Sequence, residues 1–161
     1  MRKRHDNVVN ESDLEWAEQG GGKDFFFRRK ALAMAAGSRG LGLSLFELPP
    51  GKRAFPYHFH CANEEAMYVL DGEGTLRIGE KQVPIRAGDY VAFPPGPDHA
   101  HQVINSSDLP LRFLGISTMI QTEVCVYPDS DKIAALVGRR EQRTISEVHR
   151  RGSKVDYYDA E

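Results

Sequence analysis

Long hydrophobic runs are missing from this 161-residue chain: no stretch approaches the roughly eighteen consecutive apolar residues that a membrane span requires. The opening segment, MRKRHDNVVNESDLEW, is basic and then polar with no apolar signal core, so an unexported protein is expected. Cysteine is scarce. Cys61 and Cys125 form no C-x-x-C pair, which argues against a disulfide framework and fits a reducing cytoplasm. An excess of one charge is absent too. The 21 Lys and Arg against 23 Asp and Glu leave a net charge of -2, so neither nucleic acid nor an anionic membrane is attracted by overall charge. No internal repeat and no helix-turn-helix pattern is visible, which argues against a solenoid or a fused transcription factor.

What remains suits one domain of ordinary size, because 40% hydrophobic residues are enough to build a core without covalent staples. Residues 1–23 are polar and end in Gly20-Gly21-Gly22, which reads as a mobile or edge-packing arm followed by a flexible joint. Leu41 to Leu48 alternates apolar with small or polar residues before Pro49-Pro50-Gly51 interrupts it, the pattern of a half-buried strand entering a turn. Further short strands are predicted over 65–70, 74–78, 83–86, 89–93, 101–104, 111–117 and 123–127, separated by Gly-, Pro- and Asp-rich turns. Many short strands at regular spacing mean a sandwich or barrel. Asp129-Ser-Asp131 ahead of Lys132-Ile-Ala-Ala-Leu-Val137 reads as a cap on a short helix. The tail beyond it, with Arg139-Arg140, Arg150-Arg151 and an acidic end, reads as a solvated surface segment. The divisions are therefore 1–23, 24–128 and 129–161.

The chemistry is concentrated in Gly51-Lys-Arg-Ala-Phe-Pro-Tyr-His58-Phe-His60-Cys-Ala-Asn-Glu64-Glu65-Ala-Met-Tyr-Val-Leu-Asp-Gly72. Successive side chains of a strand point to opposite faces, so His58 and His60 project to the same side and can share one ion. Glu65 opens the next strand and can close the same site. Imidazole and carboxylate together suit a transition metal such as Zn, Mn, Fe or Ni rather than calcium. A further ligand is offered by Gly88-Asp-Tyr-Val-Ala-Phe-Pro94-Pro-Gly96-Pro-Asp-His99-Ala-His101-Gln-Val-Ile-Asn105, in which His99 and His101 share one parity.

These residues resemble the cupin superfamily, whose two motifs read G-x5-H-x-H-x(3,4)-E-x6-G and G-x5-P-x-G-x2-H-x3-N. Glu65 rather than Glu64 matches the carboxylate, because six residues separate it from Gly72. One departure is that six residues rather than five lie between Gly51 and His58. In the second motif His99 has the spacing from Gly96 and His101 the spacing to Asn105. Strand register is harder to shift than turn length, which favours His101 and leaves His99 as the alternative.

The resemblance covers roughly residues 40–120, and Tyr127-Pro128-Asp129 is similar to the ending of short single-domain members. It implies an all-β double-stranded β-helix, a jelly-roll β-barrel holding one divalent metal on His58, His60, Glu65 and His101, a small polar metabolite as its partner, and a homodimer. Sugar-phosphate isomerisation, iron-dependent dioxygenation and non-enzymatic ligand binding or sensing all remain compatible with such a site. For isomerisation, Glu64, His99 and Tyr57 are the acid–base candidates, and Lys52 and Arg53 the nearest cations for a phosphate. Arg77, Arg86 and Arg112 read as surface charges, Cys61 as a small buried residue, and Phe25-Phe26-Phe27 as core or interface filling.

Overall fold

Apolar alternation with a period of two runs through most of the chain, and the computed structural model, which describes residues 5–139 and 142–160, turns it into thirteen strands. Met1 to Arg4, Glu161 and Arg140, the second member of the first Arg-Arg pair, lie outside the described residues. One layer has the order β1 (Ala17–Gly21), β2 (Phe25–Lys30), β3 (Leu41–Leu48), β10 (Leu111–Thr118), β5 (Glu65–Asp71) and β8 (Tyr90–Phe93). The facing layer consists of β7 (Lys81–Arg86), β6 (Glu73–Ile78) and β9 (His101–Ile104), followed by β4 (Phe59–His60), β11 (Thr122–Tyr127), β12 (Lys132–Val137) and β13 (Ile145–Arg150). Its two parts meet at an antiparallel bridge between His58 and His101. A four-residue helix, α1 (Leu32–Ala35), lies between β2 and β3. Among the described residues no helix is long and apolar enough to cross a membrane.

Residues on the inner faces pack into one core. In β5, Met67 and Val69 point inward while Tyr68 and Leu70 are exposed, and Phe46 of β3 stacks on Phe113 of β10 at 5.1 Å between ring centres. Each such side chain contributes about 1.5–3 kcal/mol when fully buried. Two motif residues have purely structural work here. Gly72 has a φ of 82°, and a Cβ there would lie 2.5 Å from the Pro110 carbonyl oxygen, so only glycine makes this turn beside β10. Asn105 is fully buried, donates to the Leu48 and Leu109 carbonyls and accepts from Ser107, locking the end of β9.

The strands expected between residues 65 and 127 form, with ends displaced by at most two residues. The helix expected after Asp131 does not. Lys132–Val137 pairs with β11 along its whole length, because the run has an alternative to local hydrogen bonding in a neighbouring strand that also buries Ala134. The segment expected to be an arm supplies β1, and Gly20 and Gly21 lie within that strand, paired with Phe26 and Phe25, rather than forming a joint. Phe27 of the Phe triplet is in the core, with Phe25 and Phe26 half-buried.

Candidate metal centre and its cavity

His58 and His101 face each other across the bridge that joins the two parts of the second layer. Their backbones exchange both hydrogen bonds: the His101 N–H donates to the His58 carbonyl at 2.8 Å, and the His58 N–H returns the bond at 3.2 Å. Directly paired residues place their side chains on one face, so the two rings lie 4.8 Å apart, pointing inward. His60, two residues along, shares that face, with its ring 5.1 Å from that of His58. Glu65 comes from the opposite layer, at the start of β5. Its Oε2 is 3.3 Å from His60 Nε2 and 3.7 Å from His101 Nε2. Donors about 2.1 Å from a common ion lie about 3–4 Å from one another, and these separations match that spacing.

The tautomers are set from behind. His58 Nδ1 is 2.8 Å from the Pro56 carbonyl and His101 Nδ1 is 3.0 Å from the His99 carbonyl. A carbonyl only accepts, so each Nδ1 carries hydrogen and each Nε2 presents a lone pair to the interior. Phe93 stacks against the His101 ring at 3.7 Å, which fixes its plane. The donor set therefore fits a divalent transition ion held by His58, His60, His101 and Glu65.

These residues line a cavity of about 480 Å³ between the layers. Its lining includes Phe46, Phe93, Phe113 and Met67 together with Arg29, Arg39, Arg139 and Arg143.

Residues 44–117, which contain all four candidate donors, match a family model described as a cupin domain. The chain carries a cupin domain. Among solved structures, this cupin resembles an inferred sugar phosphate isomerase from Acidithiobacillus ferrooxidans with a TM-score of 0.80 and 27% identity, over 94% of this chain and 96% of the other. A sugar phosphate isomerase of the cupin superfamily from Silicibacter pomeroyi follows with a TM-score of 0.73 and 27% identity, over 83% and 82% of the two chains. Quercetin 2,3-dioxygenase of Bacillus subtilis is 34% identical over 88 residues, 52% of this chain and 26% of that protein. The chain spans from 26% to 64% of the length of the curated relatives it matches.

The cupin's other expected site residues lie away from this cavity. Tyr57 is buried with its hydroxyl donating to the Gly79 carbonyl at 2.9 Å, and the Arg77 guanidinium covers its ring. Glu64 lies just ahead of β5, is exposed and does not line the cavity. His99 ends a short 3₁₀ turn and contributes its carbonyl to His101 rather than its ring to the cavity. Lys52 donates to the Lys23 carbonyl at 2.9 Å, and exposed Arg53 does not line the cavity either. Proximity in sequence misled here, because the turn from Gly51 to Arg53 runs beside the β1–β2 hairpin. Cys61 is exposed instead of buried, since the chain leaves β4 at that residue. Arg77 pairs with Asp129, while Arg112 lies near Glu11 and Glu47, so neither is simply solvated.

Sequence reasoning placed the strand β11 but missed that its side chains reach the site. Glu123, Cys125 and Tyr127 share one parity, and all three line the cavity. Cys125 pairs with His60 across the β4–β11 ladder, placing its Sγ 3.3 Å from His60 Nδ1, with Glu123 Oε2 at 3.4 Å. Glu123 also accepts from the backbone N–H groups of Cys61, Ala62 and Asn63, the three residues that carry the chain from His60 towards Glu65. Burial would raise its pKa, but the Asn63 and Ala62 N–H groups outweigh that and lower it.

In the metal-free protein the imidazoles titrate in opposite directions. Burial, reinforced by His101 and His60, lowers His58 to about 4. For His60 burial acts downward too, but hydrogen bonds to Cys125 and Glu65 and the Glu65 charge prevail and raise it to about 11. Burial likewise disfavours ionised Glu65, yet bonds from His101 and His60 hold it well below the usual carboxylate range. The contribution of His58 to stability is complete above its ordinary value of 6.5 and is lost as pH falls towards 4. That of His60 is complete below 6.5 and is lost as pH rises through 11. Metal-free protein is therefore expected to melt highest near pH 6.5, and bound zinc to remove the alkaline decline, because the ion takes the place of the Nε2 proton. Calorimetric scans from about pH 5 to 9, with and without zinc, check both arms; a flat metal-free profile contradicts the assignment.

Proposed function

We propose that this cupin is a metal-dependent enzyme acting on a small polar metabolite, and that its reaction is the aldose–ketose isomerisation of a sugar phosphate. The observation that carries the reading is the clustering of His58, His60 and Glu65, with His101 Nε2 3.7 Å from the Glu65 carboxylate, on the lining of a cavity large enough for such a molecule. The likeness to two sugar phosphate isomerase structures, one over 94% of the chain, supports it. A divalent ion held there supplies Lewis acidity, polarising a substrate carbonyl so that the neighbouring C–H becomes acidic.

The chain's own groups do the rest. Pro56 and His99 carbonyls hold two imidazoles in the ligating tautomer, and the apolar walls exclude water around the reacting carbons. Among the oxygen acids of the cavity, Glu123 has its lone pairs committed to backbone N–H groups. With Glu65 given to the metal, Tyr127 is left to hold or move a proton there. Burial raises the Tyr127 pKa, so its hydroxyl stays protonated at neutral pH and can donate to a substrate oxygen. Two free cysteines, one of them exposed, fit a reducing cytoplasm, and the homodimer expected from sequence belongs to the same reading.

The expected result is exchange of the C2 proton of an aldose phosphate with solvent, with ketose formed, when metal-loaded protein is followed by proton NMR in heavy water. Absence of exchange across pentose and hexose phosphates loaded in turn with zinc, manganese, iron and nickel would overturn the isomerase reading. A second reading rests on the aromatic wall of Phe46, Phe93 and Phe113 together with the similarity to a quercetin dioxygenase. Oxygen uptake by iron-loaded protein with a flavonol, and no proton exchange, would replace isomerisation with dioxygenation.

A further inference from the structure

The cavity carries groups of both charge signs. Its acids, Glu65 and Glu123, lie with the imidazoles, and Arg29, Arg39, Arg139 and Arg143 line it as well. The arginines come from β2, from the loop between α1 and β3, and from the turn joining β12 to β13. Arg39, Arg139 and Arg143 are exposed and make no ion pair with a side chain among the described residues. Arg29 is half-buried and aimed: its Nε donates to Ser44 Oγ at 2.9 Å and its guanidinium lies 5.8 Å from the Phe46 ring centre. Four guanidinium groups on one low-dielectric cavity raise the local potential for an anion, and guanidinium binds phosphate through paired N–H bonds.

The origin of these residues sharpens the point. All four candidate metal donors fall within residues 44–117, the part that matches the cupin domain, and all four arginines fall outside it. The segments flanking the domain thus fold back over its cavity and add a charge that the domain itself does not supply there.

We propose that Arg39, Arg139 and Arg143, with Arg29 beside them on the cavity lining, form an anion subsite that takes the phosphate of the substrate. The proposal rests on the sugar-phosphate reading for the substrate's identity, but the subsite's preference for a dianion is a binding property that is measured separately.

Inorganic phosphate is the probe, titrated by calorimetry at low ionic strength into both metal-free and zinc-loaded protein. Wild-type protein is expected to bind it in both forms, and Arg39→Gln/Arg143→Gln to bind it at least tenfold more weakly, with zinc content and melting temperature unchanged. Arg39→Lys/Arg143→Lys should recover part of the loss, because the charge returns without the paired geometry. Wild-type affinity in the glutamine variant, or no phosphate binding to metal-free wild type, overturns the subsite. The two readings separate cleanly. Arginine-dependent phosphate binding without proton exchange on any sugar phosphate keeps the subsite and removes the isomerase. Proton exchange with an unchanged KM in the glutamine variant keeps the isomerase and removes the subsite.

Discussion

Metal content is expected to fall from close to one equivalent per chain to background when His60 and Glu65 are both replaced by alanine. The pair supplies one donor from each layer, and their facing atoms are 3.3 Å apart. Removing both leaves His58 and His101 on a single ladder with no group opposite them. Loss of a supporting residue behind a ligand already costs about 10–100-fold in affinity, so loss of two direct donors should exceed a hundredfold. Elemental analysis after dialysis, with zinc competition against a chelator, reads the effect. His101→Ala should resemble the double variant and His99→Ala should resemble wild type, because the His99 ring lies outside the cavity and only its carbonyl is used. Full metal content in the double variant, or loss of metal in His99→Ala, contradicts the proposed ligand set.

Replacing Glu123 with alanine should cost about 3 kcal/mol or more of folding stability, although the residue lies in a strand remote in sequence from the metal motif. Its carboxylate accepts from the Ala62 and Asn63 N–H groups at 3.1 and 2.6 Å and from the Asn63 side chain, all within the turn between β4 and β5. Alanine leaves these donors without their partner in a place that water reaches poorly, since Glu123 is 4% exposed. The same turn sets the separation of His60 from Glu65, so zinc affinity should fall together with stability. Glu123→Gln should also be destabilised, because its amide N–H groups would face donors. Urea denaturation of the metal-free proteins measures the first effect and chelator competition the second. An alanine variant as stable as wild type would show that the cradle does not hold this turn.

The metal motif was legible because two-residue periodicity is a local property. Once Phe59 faces away, His58 and His60 must share a face, and the resemblance to the cupin motif singles out Glu65 by its spacing to Gly72, whose positive φ and close approach to Pro110 admit no side chain. The choice between His99 and His101 was open in the sequence. The structure brings His101 into the cluster, because Asn105 anchors the end of β9 to Leu48 and Leu109 and the backbone bridge pairs His101 with His58. The same parity rule could have shown that Glu123, Cys125 and Tyr127 lie together. It could not have shown which partner they meet, since β11 reaches His60 across 65 residues of chain.

The terminal segments were the least legible part. Lys132 to Val137 follows a capping signal but is a short apolar run that a strand buries as well as a helix, and a neighbouring strand with hydrogen-bonding groups to offer decides between them. For the cations, nearness in sequence pointed to Lys52 and Arg53, whereas folding brings Arg29, Arg39, Arg139 and Arg143 to the cavity from both ends of the chain.

By itself, then, the sequence determined the β architecture, the two-motif framework and the pairing of His58 with His60 and Glu65, because alternation, turn chemistry and short spacings act within a few residues. Only the tertiary structure decided that the His101 ring comes within 3.7 Å of Glu65, that Glu123 and Cys125 stand behind His60, and that arginines rather than Lys52 line the cavity. Each of these depends on which strands become neighbours, and strand pairing is governed by the burial of whole faces rather than by distance along the chain.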